Sequence, residues 1–422
     1  MTIKALYPTV RPSLNLDFAK TKVLDPRITF TRASTGTFVG SNGLIQTAAS
    51  GAPRFNHNPA TGESLGLLVE EARTNLTLYS GDFSQAYWTK VSLSIFTANT
   101  IIAPDGTLTG SFIAFQNATS PLTSAQGLQA STGLAAGTNT LSCFAKIGTA
   151  RYLALGLTNN GGEVSTAIFD LQTGTVNGSG SHPNFTVNGT SMVSAGAGWY
   201  RCSLTSTYAA GMATHISSST SGLSGTYGAS VSGDGTSGIY VWGAQIEASA
   251  SSPTSYIPTT TATVTRAADV ASMTGTNFSS WYRQDEGTLL VNARIGFDLS
   301  LVNAFFVSDA TDNNHASFLT NTAGTNLTFT VVTANVTQAA ISLGAPLSNT
   351  NARIAGGYQA NNLAACINGS SAVIDSSGSI PVVSQLEIGQ RLGARHWNST
   401  ISRLAYYPVR LPDAQLQALT AT

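Results

Sequence analysis

Short stretches in which apolar and polar residues alternate recur along this chain, separated by turns rich in Gly, Asn, Ser and Asp. Leu153, Leu155 and Leu157 alternate with smaller residues; so do Tyr240, Trp242, Ala244 and Ile246, and later Leu327, Phe329 and Val331. A period of two places successive side chains on opposite faces of a strand, and many such segments at short spacing predict an all-β fold of sandwich or barrel type. Phe169-Asp-Leu-Gln-Thr-Gly-Thr-Val176 reads as a hairpin turning at Gln172–Gly174. Helical periodicity is confined to Pro412-Asp-Ala-Gln-Leu-Gln-Ala-Leu419, where the proline suits a first turn.

Two breaks in composition divide the chain. One falls near Ser80, and the other is the Ser/Thr/Pro-rich stretch 248–265, which suits an extended connector. The expected organisation is a β-rich leader over 1–80, a jelly roll over 81–258, a linker over 259–266 and a second β-sandwich over 267–422. The leader is too short and Gly-rich for a core of its own, so its strands are expected to dock on the first domain or on a neighbouring subunit. Its first twelve residues, with Pro8 and Pro12, read as an extended arm suited to attachment by strand addition.

Composition narrows the function. Charged residues make up 9% of the 422, and the net charge is zero, against roughly 25% charged in a typical soluble domain. Disorder does not fit a chain that is 42% hydrophobic. A neutral surface lacks the electrostatic drive for nucleic-acid binding. No run of about 18 apolar residues occurs, so no spanning helix is expected, and no secretory signal is evident at the start. Cys143, Cys202 and Cys366 are widely spaced and form no metal or redox pair; buried thiols are expected, with a Cys143–Cys202 disulfide left open.

Leu67-Leu-Val-Glu-Glu-Ala-Arg-Thr-Asn-Leu76 is the most distinctive run. It is flanked by Leu24-Asp-Pro-Arg-Ile-Thr-Phe-Thr-Arg-Ala-Ser34 and by Asp82-Phe-Ser-Gln-Ala-Tyr-Trp-Thr-Lys90. Together they resemble a recurrent module of tailed-bacteriophage virion proteins such as tail fibres and tail spikes. From Trp88-Thr-Lys90 to Ile239-Tyr-Val-Trp-Gly-Ala-Gln-Ile-Glu247 and Thr254-Ser-Tyr-Ile-Pro258, the chain is similar to carbohydrate-binding-type jelly rolls of phage tail proteins. Glu286-Gly-Thr-Leu-Leu-Val-Asn-Ala-Arg-Ile295, the paired segments Asn351-Ala-Arg-Ile-Ala-Gly-Gly-Tyr358 and Ala365-Cys-Ile-Asn-Gly369, and the closing Trp397-Asn-Ser-Thr-Ile-Ser-Arg-Leu-Ala-Tyr-Tyr-Pro408 resemble a laminin-G or concanavalin A-like sandwich.

The resemblance implies a non-enzymatic virion appendage, a homotrimer mounted on other virion proteins, made in the host cytoplasm and adhering to bacterial surface polysaccharide. A purely structural part (head fibre, decoration protein or baseplate adaptor) is the alternative, and a polysaccharide depolymerase ranks below both. Trp199 and Arg201 share one face of their strand while Tyr200, Cys202 and Leu204 share the other, so Trp199 and Arg201 are the candidate sugar contacts, with Tyr87 and Trp88 beside them; Trp242 reads as core. No cofactor is required, although the family allows calcium, for which the loop holding Asp309 and Asp312 is the candidate. The Glu-x-Asp-x-x-Glu arrangement of related hydrolases is missing, and Glu286 and Glu387 are the only glutamates of the second domain. Glu70 and Glu71, near Arg73, are expected to anchor the leader on a neighbour.

Overall fold

The computed structural model describes residues 7–121, 126–131, 134–159, 162–208, 213–224, 230–297 and 300–421. The first six residues of the expected arm lie outside the described residues. The fold is all-β: among the described residues every strand pairing is antiparallel, and helix is confined to Thr276–Ser279 and Asp413–Thr420.

The first sandwich faces two six-stranded sheets against each other. One runs Phe185–Gly196, Trp199–Tyr208, Gly137–Lys146, Gly238–Ala248, Gly110–Phe115, Leu93–Ile101. The other runs Thr175–Ser181, Val164–Asp170, Tyr152–Thr158, Ala213–Ser219, Gly127–Ser131, Thr89–Val91. The chain shuttles between them, and Leu141, Cys143, Leu155, Phe169, Cys202 and Ile246 meet in the shared core. The expected hairpin is present, Asp170 pairing with Thr175.

In the second sandwich, strand Glu286–Arg294 lies between Asn351–Gln359 and Ser399–Tyr407. Opposite it, Gln385–Ile388 lies between Val270–Thr274 and Asn303–Ser308. Asn351–Gln359 and Leu363–Ile367 pair as the resemblance implied. The Asn-Gly turn, however, serves the next connection, with Asn368 at φ 49° and Gly369 at φ 74° leading to Val373–Asp375. Both residues have positive φ, as tight hairpin turns of the primed type require.

The leader docks mainly on the second sandwich of its own chain, not on the first as expected. Leu14–Asp17 and Ser64–Val69 both pair with Ser399–Tyr407, Arg54–His57 extends that sheet, and Thr29–Thr31 adds to the opposing one. Leu14, Leu16, Phe18, Phe55, Leu67 and Val69 then enter the C-terminal core. Burial of each such side chain is worth roughly 1.5–3 kcal/mol, which a short chain with no core of its own can gain only by docking. Gly66 (φ 97°) is required at the crossing, because a Cβ there would run into the Ile401 carbonyl.

The hairpin formed by Gly36–Val39 and Ile45–Ala48 reaches the other way and touches the first sandwich. The Ile45 amide donates to the Pro104 carbonyl at 2.9 Å, and the Thr37 hydroxyl donates to the Tyr256 carbonyl. The stretch read as an extended connector is threaded back along the leader. Val264–Arg266 pairs with Arg73–Asn75, the Asn75 side-chain amide donates to the Ile257 carbonyl at 2.8 Å, and the Thr259 hydroxyl donates to the Thr77 carbonyl at 2.6 Å. Leader and connector thus form one clasp between the sandwiches.

Candidate functional site

The distinctive leader motifs converge on a buried charge cluster. Arg32 Nη1 lies 3.0 Å from Asp269 Oδ1, and Arg54 Nη1 lies 2.8 Å from Glu70 Oε2. Arg54 Nη2 pairs with Asp269 Oδ2, and Arg266 Nη2 reaches Glu70 Oε2 at 3.5 Å. Ser255 donates its amide and its hydroxyl to the two Glu70 oxygens, both at 2.7 Å. All five charged side chains are at most 5% exposed.

Burial alone would raise the Glu70 pKa, but the Arg266 and Arg54 charges and the Ser255 bonds outweigh it and bring it down to about 2. For Arg54, burial pushes the pKa down and the charges of Glu70 and Asp269 more than restore it. Buried ions of this kind survive only when paired and hydrogen-bonded on most sides. Glu70 was expected to anchor the leader on a neighbour, and it anchors it on the connector of the same chain. Glu71 takes Arg73 Nη2 at 2.5 Å and the Asn398 side-chain amide at 3.1 Å.

Beside this cluster opens a cleft of about 430 Å³ where leader, first sandwich and second sandwich meet. Its lining is mainly apolar, with polar groups set into it: Asn56, Asn58, Asn349 and Asn398 supply amides, and Arg201 and Arg294 supply guanidinium groups. Arg294 spends Nε and Nη2 on Asn349 Oδ1 at 3.1 and 2.6 Å, leaving Nη1 without a protein partner among the described residues. Phe297, 40% exposed, forms an apolar part of the lining. Glu70 is the one carboxylate among the lining residues, and it is fully engaged in the cluster. A mainly apolar cleft with a few amide and guanidinium groups is suited to a ligand that offers both C–H faces and hydrogen-bonding groups, as a sugar does.

The structure brings only one of the four expected sugar contacts to this cleft. Arg201 lines it, donating to the Thr254 carbonyl and to Ser142 Oγ at 3.0 Å, with its guanidinium carbon 5.4 Å from the Phe144 ring centroid. Trp199 is buried, not displayed: it packs with Ala103, Phe144, Trp242 and Tyr256, and its indole donates to the Ile102 carbonyl at 3.1 Å. Alternation correctly placed Trp199 on the face away from the inter-sheet core. That outer face is covered by the leader hairpin and the 101–104 segment, which strand periodicity does not reveal. Tyr200, on the opposite face with Cys202 and Leu204, packs against the inter-sheet core but is only partly buried.

Trp88 is also buried, edge-on to Phe83 at 4.9 Å and donating to the Tyr79 carbonyl at 3.1 Å. Tyr87 is half-buried against it, at 5.5 Å. Neither lines the junctional cleft. Arg294, Asn349 and Asn398 were missed because the cleft exists only once the leader has docked on the far end of the chain; no local pattern marks them.

The oxygen-rich loop is closed on itself. Asp309 Oδ1 accepts from the Thr311 amide at 2.9 Å and Oδ2 from Asn314 at 2.8 Å, while Asp312 pairs with Arg391 at 2.6 Å. Among the described residues no group of three or more His, Cys, Asp or Glu is placed to hold a metal ion. Glu286 is bound by Arg283 at 2.7 Å and by the Arg410 amide at 3.0 Å, and Glu387 accepts from the Leu392 amide at 2.6 Å. Cys143 and Cys202 are free buried thiols in register on adjacent strands. Among the described residues no helix is long and apolar enough to cross a membrane.

No protein-family model matches the chain, and no curated protein is similar to it. Among solved structures it is similar to the CBM40 module of the Ruminococcus gnavus IT-sialidase bound to α2,3-sialyllactose, at 15% identity and TM-score 0.30 over 35% of this chain and 88% of that one. A mutant of the NanB sialidase from Streptococcus pneumoniae overlaps at 14% identity and TM-score 0.30, covering 35% of this chain and 26% of that one. The native heptameric SAP-like pentraxin from Limulus polyphemus overlaps at 15% identity and TM-score 0.25, covering 32% of this chain and 70% of that one.

Proposed function

We propose that this protein is a non-enzymatic appendage of a tailed-phage particle that adheres to bacterial surface polysaccharide. In this reading it is made in the host cytoplasm, assembled as a homotrimer on other virion proteins, and carried on the particle. The observation that carries the binding role is the junctional cleft, mainly apolar with amide and guanidinium groups set into it, Arg294 and Asn349 among them. The virion context rests on the sequence resemblance. What supports a binder over a depolymerase is the state of Glu70. A general acid must carry a proton near neutral pH, whereas the one carboxylate of the cleft is drawn down to about 2 by two arginines.

Several identical clefts on one particle would raise weak sugar affinities by roughly 10²–10⁴-fold through avidity. The test is retention of purified protein on a glycan array and on whole host cells, comparing the native chain with Arg294→Gln. Retention that Arg294→Gln weakens is the expected result. Failure of the native chain to retain any envelope polysaccharide, with host adsorption unchanged when the protein is deleted from the particle, leaves the structural alternative in its place.

A further inference from the structure

We infer that a second pocket, across the leader hairpin from the junctional cleft, takes a neutral or amino hexose unit. The inference rests on the glycan-adhesion reading and adds a site and a ligand class to it. The pocket has a volume of about 440 Å³ and lies between the hairpin carrying Thr37 and Ile45, the 79–85 segment, the 105–109 turn and the 256–260 segment. It shares Thr37, Ile45 and Tyr256 with the junctional cleft as a common wall. Its size falls within the roughly 300–1,000 Å³ usual for small-molecule sites.

The pointer to a ligand is Trp242. Four of the five tryptophans donate their indole N–H to a backbone carbonyl: Trp88 to Tyr79, Trp199 to Ile102, Trp281 to Asn277 and Trp397 to Arg294, at 2.9–3.1 Å. Trp242 is only 3% exposed and has no such partner among the described residues: its indole nitrogen opens to the pocket instead. Its ring is fixed by Tyr256 at 4.7 Å and Phe144 at 5.4 Å, and it lines the pocket together with Gly81. A Cβ at position 81 would stand 3.3 Å from Trp242 Nε1 and 3.4 Å from Tyr256 Oη. The missing side chain at Gly81 is therefore what leaves the indole donor uncovered.

The remaining polar groups set the ligand class. Asp82, Gln85 and Asp105 line the pocket, and no Lys, Arg or His does among the described residues. Asp105 uses Oδ1 for the Thr107 amide and hydroxyl, at 3.0 and 2.7 Å, leaving Oδ2 as an acceptor. Asp82 Oδ2 binds the Gln85 amide at 2.8 Å, which orients that side chain. One fixed N–H donor and the open Asp105 Oδ2 in the same pocket match a sugar hydroxyl pair or an ammonium group. The same two carboxylates repel a sialic or uronic acid. Ile45 and Pro258 offer an apolar wall to the sugar C–H face.

The test is calorimetric titration of the full chain with a panel of methyl hexosides and methyl hexosaminides, with sialyllactose as the anionic control. Tryptophan emission is followed in parallel. Saturable binding of a neutral or amino sugar is expected, weakened about tenfold or more in Trp242→Phe, which keeps the aromatic packing and removes the donor. Asp105→Asn and Gly81→Ala provide the same test without touching the core, should Trp242→Phe fold poorly. Binding unchanged in Asp105→Asn and Gly81→Ala, tighter binding of sialyllactose than of neutral sugars, or no binding of the panel overturns the inference. If Arg294→Gln abolishes retention on host polysaccharide while the pocket variants do not, the adhesion reading stands and this pocket alone falls.

Discussion

Glu70 and Asp269, 199 residues apart, are joined in both directions: the Asp269 amide donates to the Glu70 carbonyl and the Glu70 amide to Asp269 Oδ2, each at 2.9 Å. The first residue directly follows the leader strand Ser64–Val69 and the second follows the connector, so this reciprocal contact closes the clasp that seats one sandwich beside the other. Arg54 bridges their two carboxylates from the middle.

Arg54→Ala is therefore expected to destabilise the protein by about 3–5 kcal/mol, because it leaves two buried carboxylates short of a partner. Lys20→Ala, which breaks an exposed pair with Asp17, is expected to change stability by less than about 1 kcal/mol. Urea denaturation of the three proteins checks both values. The Arg54 variant should also separate the melting of the two sandwiches in calorimetry, since the clasp is what couples them.

Acid should weaken the fold in two stages. Burial holds His215 and His315 at about 4, below the ordinary histidine value of 6.5. His215 sits neutral between the Gln126 amide and the Thr158 hydroxyl. For a base with a depressed folded pKa, stability is intact above the unfolded value and declines as pH falls from about 6.5 towards 4. Glu70 is a depressed acid, so its contribution is intact above its unfolded value of 4.5 and is lost as pH falls towards about 2. Denaturation midpoints measured from pH 8 to pH 3 should fall in the first window in native protein and less so in His215→Gln. A flat profile down to pH 4 would contradict this assignment.

The all-β fold, the hairpin after Phe169 and the terminal helix were legible because each depends on local periodicity and turn chemistry. The leader's partner was not legible. Leu67 and Val69 announce a buried strand, but nothing near them says that the strand beside them is Ser399–Tyr407, more than three hundred residues on. The same limit hid the cleft, and it turned Trp199 from an expected sugar platform into core. Arg54 and Asp269 carried one usable signal: in a chain this poor in charge, each sits beside an apolar strand residue, Phe55 and Val270, where a charge needs a buried partner.

Trp199 itself gives a separable prediction. With its ring packed under the leader hairpin, Trp199→Ala is expected to cost about 3–5 kcal/mol of stability. Trp199→Phe keeps part of the packing and loses the bond to the Ile102 carbonyl, so a smaller loss is expected. Glycan retention by the folded fraction of the Phe variant should match that of the native chain. A marked loss of retention without loss of stability would return Trp199 to the role the strand pattern first suggested.

The three thiols offer a probe of how tightly the sandwiches stay closed. Burial pushes the Cys143 thiol up to about 12 and raises Cys202 and Cys366 as well, so little thiolate exists at neutral pH. Only thiolate reacts with a disulfide reagent, and access requires the sheets to part. In native buffer all three should therefore be silent towards Ellman's reagent on the timescale of minutes, then react together in urea at the rate of global unfolding. Early reaction of Cys366 alone would place the weakest closure under the helix Asp413–Thr420, where its sulfur meets the Thr420 hydroxyl at 3.4 Å. Early reaction of Cys143 and Cys202 would instead mean that the central strands of the first sandwich open independently of the clasp.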